Sequence, residues 1–120
     1  MTTDLWDVHG QAAAYIDADK QSIYLNDGTP VAWLSENALY TYRGKLLGWL
    51  WEGWIFGRDG KCVLFTDRAH AGAPKPFRKP PEDRSEQSPR PSRDSRESAP
   101  KRPGRMSVWS SRDVRLFFLS

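Results

Sequence analysis

Between Leu5 and Thr66 the apolar positions and the turn-forming residues follow one short pattern, written four times in succession. Each copy centres on a glycine, Gly10, Gly28, Gly44 or Gly60, so the period is 18 residues once and 16 twice. Ahead of the glycine comes an aliphatic residue and then an aromatic one: Leu5-Trp6, Ile23-Tyr24, Leu39-Tyr40 and Ile55-Phe56. Behind it comes a second aromatic, Tyr15, Trp33, Trp49 or Phe65, followed by Ile16, Leu34, Leu50 and, as the one lapse, Thr66. A fixed period of this kind marks a repeat architecture. A glycine among turn formers, between two apolar runs, marks a hairpin, and Asp27-Gly28 and Asp59-Gly60 carry the pair that type I′ turns favour.

With two-residue turns, Tyr24 would face Val31 and Ile23 would face Ala32. Strand alternation then sorts the side chains by face. One face collects the eight aromatics with Ala13, Val31, Leu47 and Val63. The other collects aliphatics in pairs, Leu5 with Ala14, Ile23 with Ala32, Leu39 with Gly48 and Ile55 with Leu64. A large residue opposite a small one at the same level in three copies predicts a crowded place where backbones approach closely. Isolated hairpins are marginal in water, so the copies must bury one another. The expected fold is all-β, four antiparallel hairpins packed around a pseudo-fourfold axis. A closed eight-strand meander satisfies the same pattern, and the short links at 17–22, 35–38 and 51–54 suit both.

The remainder reads differently. Residues 1–68 form the expected hairpin domain, 69–105 a disordered Pro/Arg/Ser-rich linker, and 106–120 a C-terminal apolar docking segment. From Pro74 to Arg105 almost no large apolar group occurs except Phe77, which leaves little to offset the entropy of ordering. Val114, Phe117 and Phe118 share one side at helical spacing, with Ser110 or Ser111 as the candidate cap.

Charge follows the same division. Residues 1–73 hold 6 basic and 9 acidic groups, residues 74–105 hold 10 and 5, so the net +3 belongs to the linker. A lone cysteine, Cys62, excludes an internal disulfide and suits a reducing compartment. In the two-residue register it falls on the aliphatic face. The amino terminus lacks the form of a secretory signal, and the run from Leu46 to Phe56 is too short to span a bilayer and is broken by Glu52. A soluble cytoplasmic protein with no membrane partner is expected.

The phrases Gly28-Thr-Pro-Val-Ala-Trp-Leu34, Leu39-Tyr-Thr-Tyr-Arg-Gly-Lys-Leu-Leu-Gly-Trp49 and Gly53-Trp-Ile-Phe-Gly-Arg-Asp-Gly-Lys61 resemble the small bacterial 4-fold beta-flower domain. The proline- and arginine-rich tail and the closing Trp109-Ser110 and Phe117-Phe118 resemble it too, although this tail is richer in acidic residues and serine than the regular Pro/Arg runs of that family. The resemblance implies fourfold β architecture and assigns no activity, catalytic residue or cofactor.

The residues point the same way. His9 and His70 stand near no nucleophile in the chain, and no phosphate loop, His-Glu-x-x-His motif or paired-cysteine spacing occurs. Asp17 and Asp19 lack the other ligands of a calcium loop. The expected function is therefore a non-enzymatic binding or assembly module, self-associating, without cofactor or metal. Trp51, Trp54, Trp109, Phe117 and Phe118 are the candidate docking surface for the chain's own body or a protein partner. Two alternatives are nucleic-acid or polyanion binding through the basic tail, and capture of a small cationic ligand by an aromatic cage between hairpins.

Overall fold

The computed structural model describes residues 1–119. Eight strands follow in order: β1 (Thr3–Trp6), β2 (Ala12–Ile16), β3 (Ser22–Leu25), β4 (Pro30–Ser35), β5 (Ala38–Tyr40), β6 (Leu46–Trp51), β7 (Trp54–Gly57) and β8 (Cys62–Phe65). Each pairs antiparallel with the next, and β1 pairs with β8, so the four hairpins close into a barrel with no free edge. The radial cluster and the closed meander, alternatives in the sequence, are thus one object.

The turns differ from the two-residue expectation, and the difference matters for which side chains share a face. In the second hairpin the Leu25 amide donates to the Thr29 carbonyl and the Gly28 amide donates to Leu25, enclosing three residues with Gly28 at φ +90°. This is the three-residue loop in which a glycine takes the left-handed position. The same pair of bonds recurs at Asp7/Gln11, Thr41/Lys45 and Gly57/Lys61. The extra loop residue shifts the register by one, and a bulge one step along shifts it back. Tyr24 pairs with Pro30, Val31 is left over, and Ile23 pairs with Ala32 as expected.

All four hairpins repeat this, and the residues left over are Ala13, Val31, Leu47 and Val63. Expected among the aromatics, they pack instead with the aliphatic cluster, because a bulge reverses the alternation of the strand that contains it. For the same reason Cys62, expected on the aliphatic face, pairs with Phe56 and lies buried in the aromatic cluster.

The aliphatic cluster draws on every strand and fills the inside of the barrel. The large-small pairs lie within it. At Gly48 an added Cβ would stand 2.0 Å from the Phe56 carbonyl oxygen, so the close approach expected there is real. One short helix, α1 (Val114–Leu119), inserts Val114, Phe117 and Phe118 into the same cluster and packs against β4 and β8. Its cap is Asp113, whose carboxylate accepts from the Arg115 amide, and not Ser110 or Ser111. Among the described residues no such stopper closes the other end of the barrel. There Ile16, Leu34, Leu50 and Thr66 line a cavity of about 550 Å³, rimmed by Asp4, Asp17 and Asp67.

Candidate functional site

The eight aromatics form four pairs, one at each seam between neighbouring hairpins. Trp6 meets Phe65 across β1 and β8, and Tyr15 meets Tyr24 across β2 and β3. Trp33 meets Tyr40 across β4 and β5, and Trp49 meets Phe56 across β6 and β7. Ring centroids lie 5.4–6.1 Å apart, the range in which aromatic pairs attract beyond their burial. Since the aliphatic faces point inward, these pairs stud the outer wall at quarter-turn intervals.

Residues 74–105 hold no helix or strand and run along this wall past each hairpin in turn. The amides of Lys79, Ser88, Glu97 and Met106 donate to the carbonyls of Gly10, Gly28, Gly44 and Gly60, all within 2.8–2.9 Å. Those donors are nine residues apart throughout. The carbonyls of Phe77, Glu86, Ser95 and Gly104, again nine apart, lie where a Cβ on the same four glycines would go, within 2.0–2.7 Å of it. The repeat glycines therefore have two tasks. They take the positive φ of the turn, and their bare surface lets the tail backbone approach.

A nine-residue frame also orders the tail side chains. Its first basic position holds Lys75, Arg84, Arg93 and Arg102. Arg84, Arg93 and Arg102 lie 4.0 Å, 4.4 Å and 4.1 Å from the ring centres of Tyr15, Trp33 and Trp51. Three residues later come Arg78, Gln87, Arg96 and Arg105. Arg78 covers Trp6 and Arg96 covers Tyr40, at 4.9 Å and 5.4 Å. Gln87 donates to the Tyr15 hydroxyl and Arg105 to the Glu52 carboxylate. A guanidinium over an aromatic face is attracted by the ring's negative quadrupole, worth about 0.5–1 kcal/mol when exposed and more when dry.

Carboxylates of the barrel add to this. Arg84 pairs with Asp4 and Arg90 with Asp19. Partial burial opposes ionisation of Asp19, but bonds from the Ser22 hydroxyl and the Ser22 and Gln21 amides, with Arg90 nearby, hold its carboxyl down at about 2. The Asp17/Asp19 pair, weighed as a calcium site, is thus already committed to protein donors: Asp17 accepts from Gln87. Asp27 is also held at about 2, chiefly by the Arg115 guanidinium and then by the Thr29 side chain and amide. Among the described residues no three His, Cys, Asp or Glu stand close enough to hold a metal ion.

The candidate docking residues separate. Trp51 is 38% exposed beneath Arg102. Trp54, expected at the surface with it, is fully buried because the 69–73 segment folds over it. Its indole donates to the His70 and Ala71 carbonyls, and Gly72 approaches its ring so closely that an added Cβ would stand 2.7 Å from it. Trp109 packs edge-on against Trp54 and Phe65 and donates to the Pro74 carbonyl at 2.8 Å, so the end of the tail meets its beginning. The tail is a belt that closes on itself. Phe117 and Phe118 lie away from this cluster, in the mouth of the barrel.

A family model, described as the 4-fold beta flower protein, matches residues 3–118. The chain belongs to that family. The match takes in belt and helix as well as barrel, so the beta flower is the whole arrangement and not the hairpins alone. No curated protein and no solved structure is significantly similar to it. Among the described residues no helix of this beta flower is long and apolar enough to cross a membrane.

Proposed function

We propose that this beta flower is a non-enzymatic binding module whose outer wall receives an extended, arginine-bearing segment, and that its own tail is the occupant seen here. The observation that carries the reading is the nine-residue spacing of four equivalent contacts, each a backbone bond to a turn glycine beside an aromatic seam. Surface complementarity supports it: the barrel and joint carry −3 and the tail +5. The cationic-ligand reading is absorbed into this one, since guanidinium groups of the tail already occupy the rings. Polyanion binding has less support, because Arg78, Arg84, Arg90, Arg93, Arg96 and Arg102 face rings or carboxylates of the barrel and would have to leave them.

The test is a calorimetric titration with a synthetic peptide of residues 74–109. Full-length protein carrying Arg84→Ala, Arg93→Ala and Arg102→Ala together has a loosened tail and should bind the peptide at least tenfold more tightly than the unaltered protein, whose wall is occupied. Absence of binding to either form at millimolar peptide contradicts a receptor wall.

A further inference from the structure

The joint between barrel and belt holds a non-glycine residue in the left-handed region, as the links between hairpins do at Lys20, Glu36 and Glu52, and here that turn keeps the tail on its own wall. β8 ends at Phe65, and the chain must reverse within a few residues to begin the belt at Pro74. It does so through Ala71 at φ +50° and Gly72 at φ +76°, two successive left-handed residues. Gly72 adopts this freely, whereas at Ala71 the Cβ crowds its own backbone. Nothing in the belt contacts requires the reversal. They are made by Lys79, Ser88, Glu97 and Met106 with the four turn glycines, all beyond the joint in the chain. An identical tail from a second molecule satisfies every one of them.

Resting on the receptor reading above, we infer that the joint at 69–73 is a hinge and that two copies of this chain exchange tails, each belt closing on the partner's barrel. Opening the hinge releases the Ala71 conformation and gives up the burial of Ala69 and Ala73, the bond from the His70 amide to the Glu52 carbonyl, the cover of Trp54 by Gly72 and the two bonds of its indole. All belt contacts are re-formed in the exchanged pair. Exchange of an identical element between protomers is a low-cost route to a dimer, and strained short hinges favour it. The closed form has the advantage of a tethered tail, whose effective concentration is millimolar. The exchanged form therefore grows with protein concentration and is set by the residue at position 71. Glycine there relaxes the closed form. Proline, with φ fixed near −65°, forbids it.

Native mass spectrometry of full-length protein, mixed from isotopically light and heavy preparations, tests this. A dimer that rises with concentration and includes mixed light-heavy species is expected. Its fraction should fall several-fold in Ala71→Gly and rise several-fold in Ala71→Pro. Amide exchange at Ser88 and Glu97 is read on the same samples. Monomer at all concentrations in both unaltered protein and Ala71→Pro, with those amides protected, overturns exchange and leaves the receptor wall standing. Monomer with those amides unprotected overturns both. A dimer indifferent to position 71 places association on another surface and overturns exchange.

Discussion

The barrel and the belt are both fourfold, but they are written in different alphabets. The barrel repeats every 16 to 18 residues in aliphatic, aromatic and glycine, and the belt repeats every nine in a basic residue, a backbone carbonyl and a backbone amide. The barrel is stabilised by area removed from water. The belt makes directional contacts that are individually small and are effective because they recur in register, four times for the backbone bonds and three times for the first guanidinium position. A repeat of the first kind stands alone as a closed sheet. A repeat of the second kind has meaning only against a wall with the same symmetry, and the turn glycines are where the two meet.

The largest expected effect comes from breaking both repeats at once. Trp54 packs against Phe65 in the barrel, Trp109 at the belt's end and Gly72 in the joint. Trp54→Ala should cost about 3–5 kcal/mol, as other buried large-to-small changes of aromatic residues do, measured by urea unfolding followed through far-ultraviolet circular dichroism. Next is Gly44→Ala. The residue sits at φ +89°, which costs about 1–2 kcal/mol for any other side chain. Its Cβ would also stand 2.1 Å from the Ser95 carbonyl oxygen. Beyond the loss of stability, the Glu97 amide should exchange faster while the Ser88 amide, one belt unit away, stays protected. Uniform loosening of both would mean the belt units are not independent.

These positions also show how much could be read in advance. The four hairpins, the seam aromatics and the Ile23-Ala32 register were legible because apolar periodicity reports burial directly. The bulges were not, since Val31 and Val63 fit either face by composition. Only the three-residue loop geometry decides that each turns inward and that Cys62 turns outward. In the tail, counting apolar residues pointed to an unsupported linker, because nearly every contact there is made by guanidinium groups and backbone. A signal was present: Lys75, Arg84, Arg93 and Arg102 recur at nine, as do Arg78, Arg96 and Arg105 with Gln87 between. It has no meaning until the wall provides partners at that spacing. The burial of Trp54 is illegible for a related reason, as its cover comes from residues 69–73, which resemble a loose joint in isolation.

Smaller effects sharpen the comparison. Arg93→Ala removes one guanidinium from the Trp33 face and should cost about 0.5–1 kcal/mol, with a double-mutant cycle to Trp33→Leu isolating the pairwise part. Lysine at position 93 should recover only a fraction of it, because the planar group stacks and the ammonium does not. The smallest effect is that of acid. Asp19 and Asp27 have carboxyls lowered from 3.8 to about 2 in the folded chain, so the stability they contribute is complete above 3.8 and lost as pH falls toward 2. Thermal unfolding should show a decline across that window that is reduced in Asp27→Asn, whose missing partner is Arg115 on the stopper helix.

Residue-resolved amide hydrogen exchange on the full-length protein tests the central claim most directly. Lys79, Ser88, Glu97 and Met106 should be protected together, at intervals of nine, well above the tail amides between them that have no carbonyl partner on the wall. Exchange at the rate of an unstructured peptide at all four positions, with the barrel amides still protected, would contradict a belt seated on the flower.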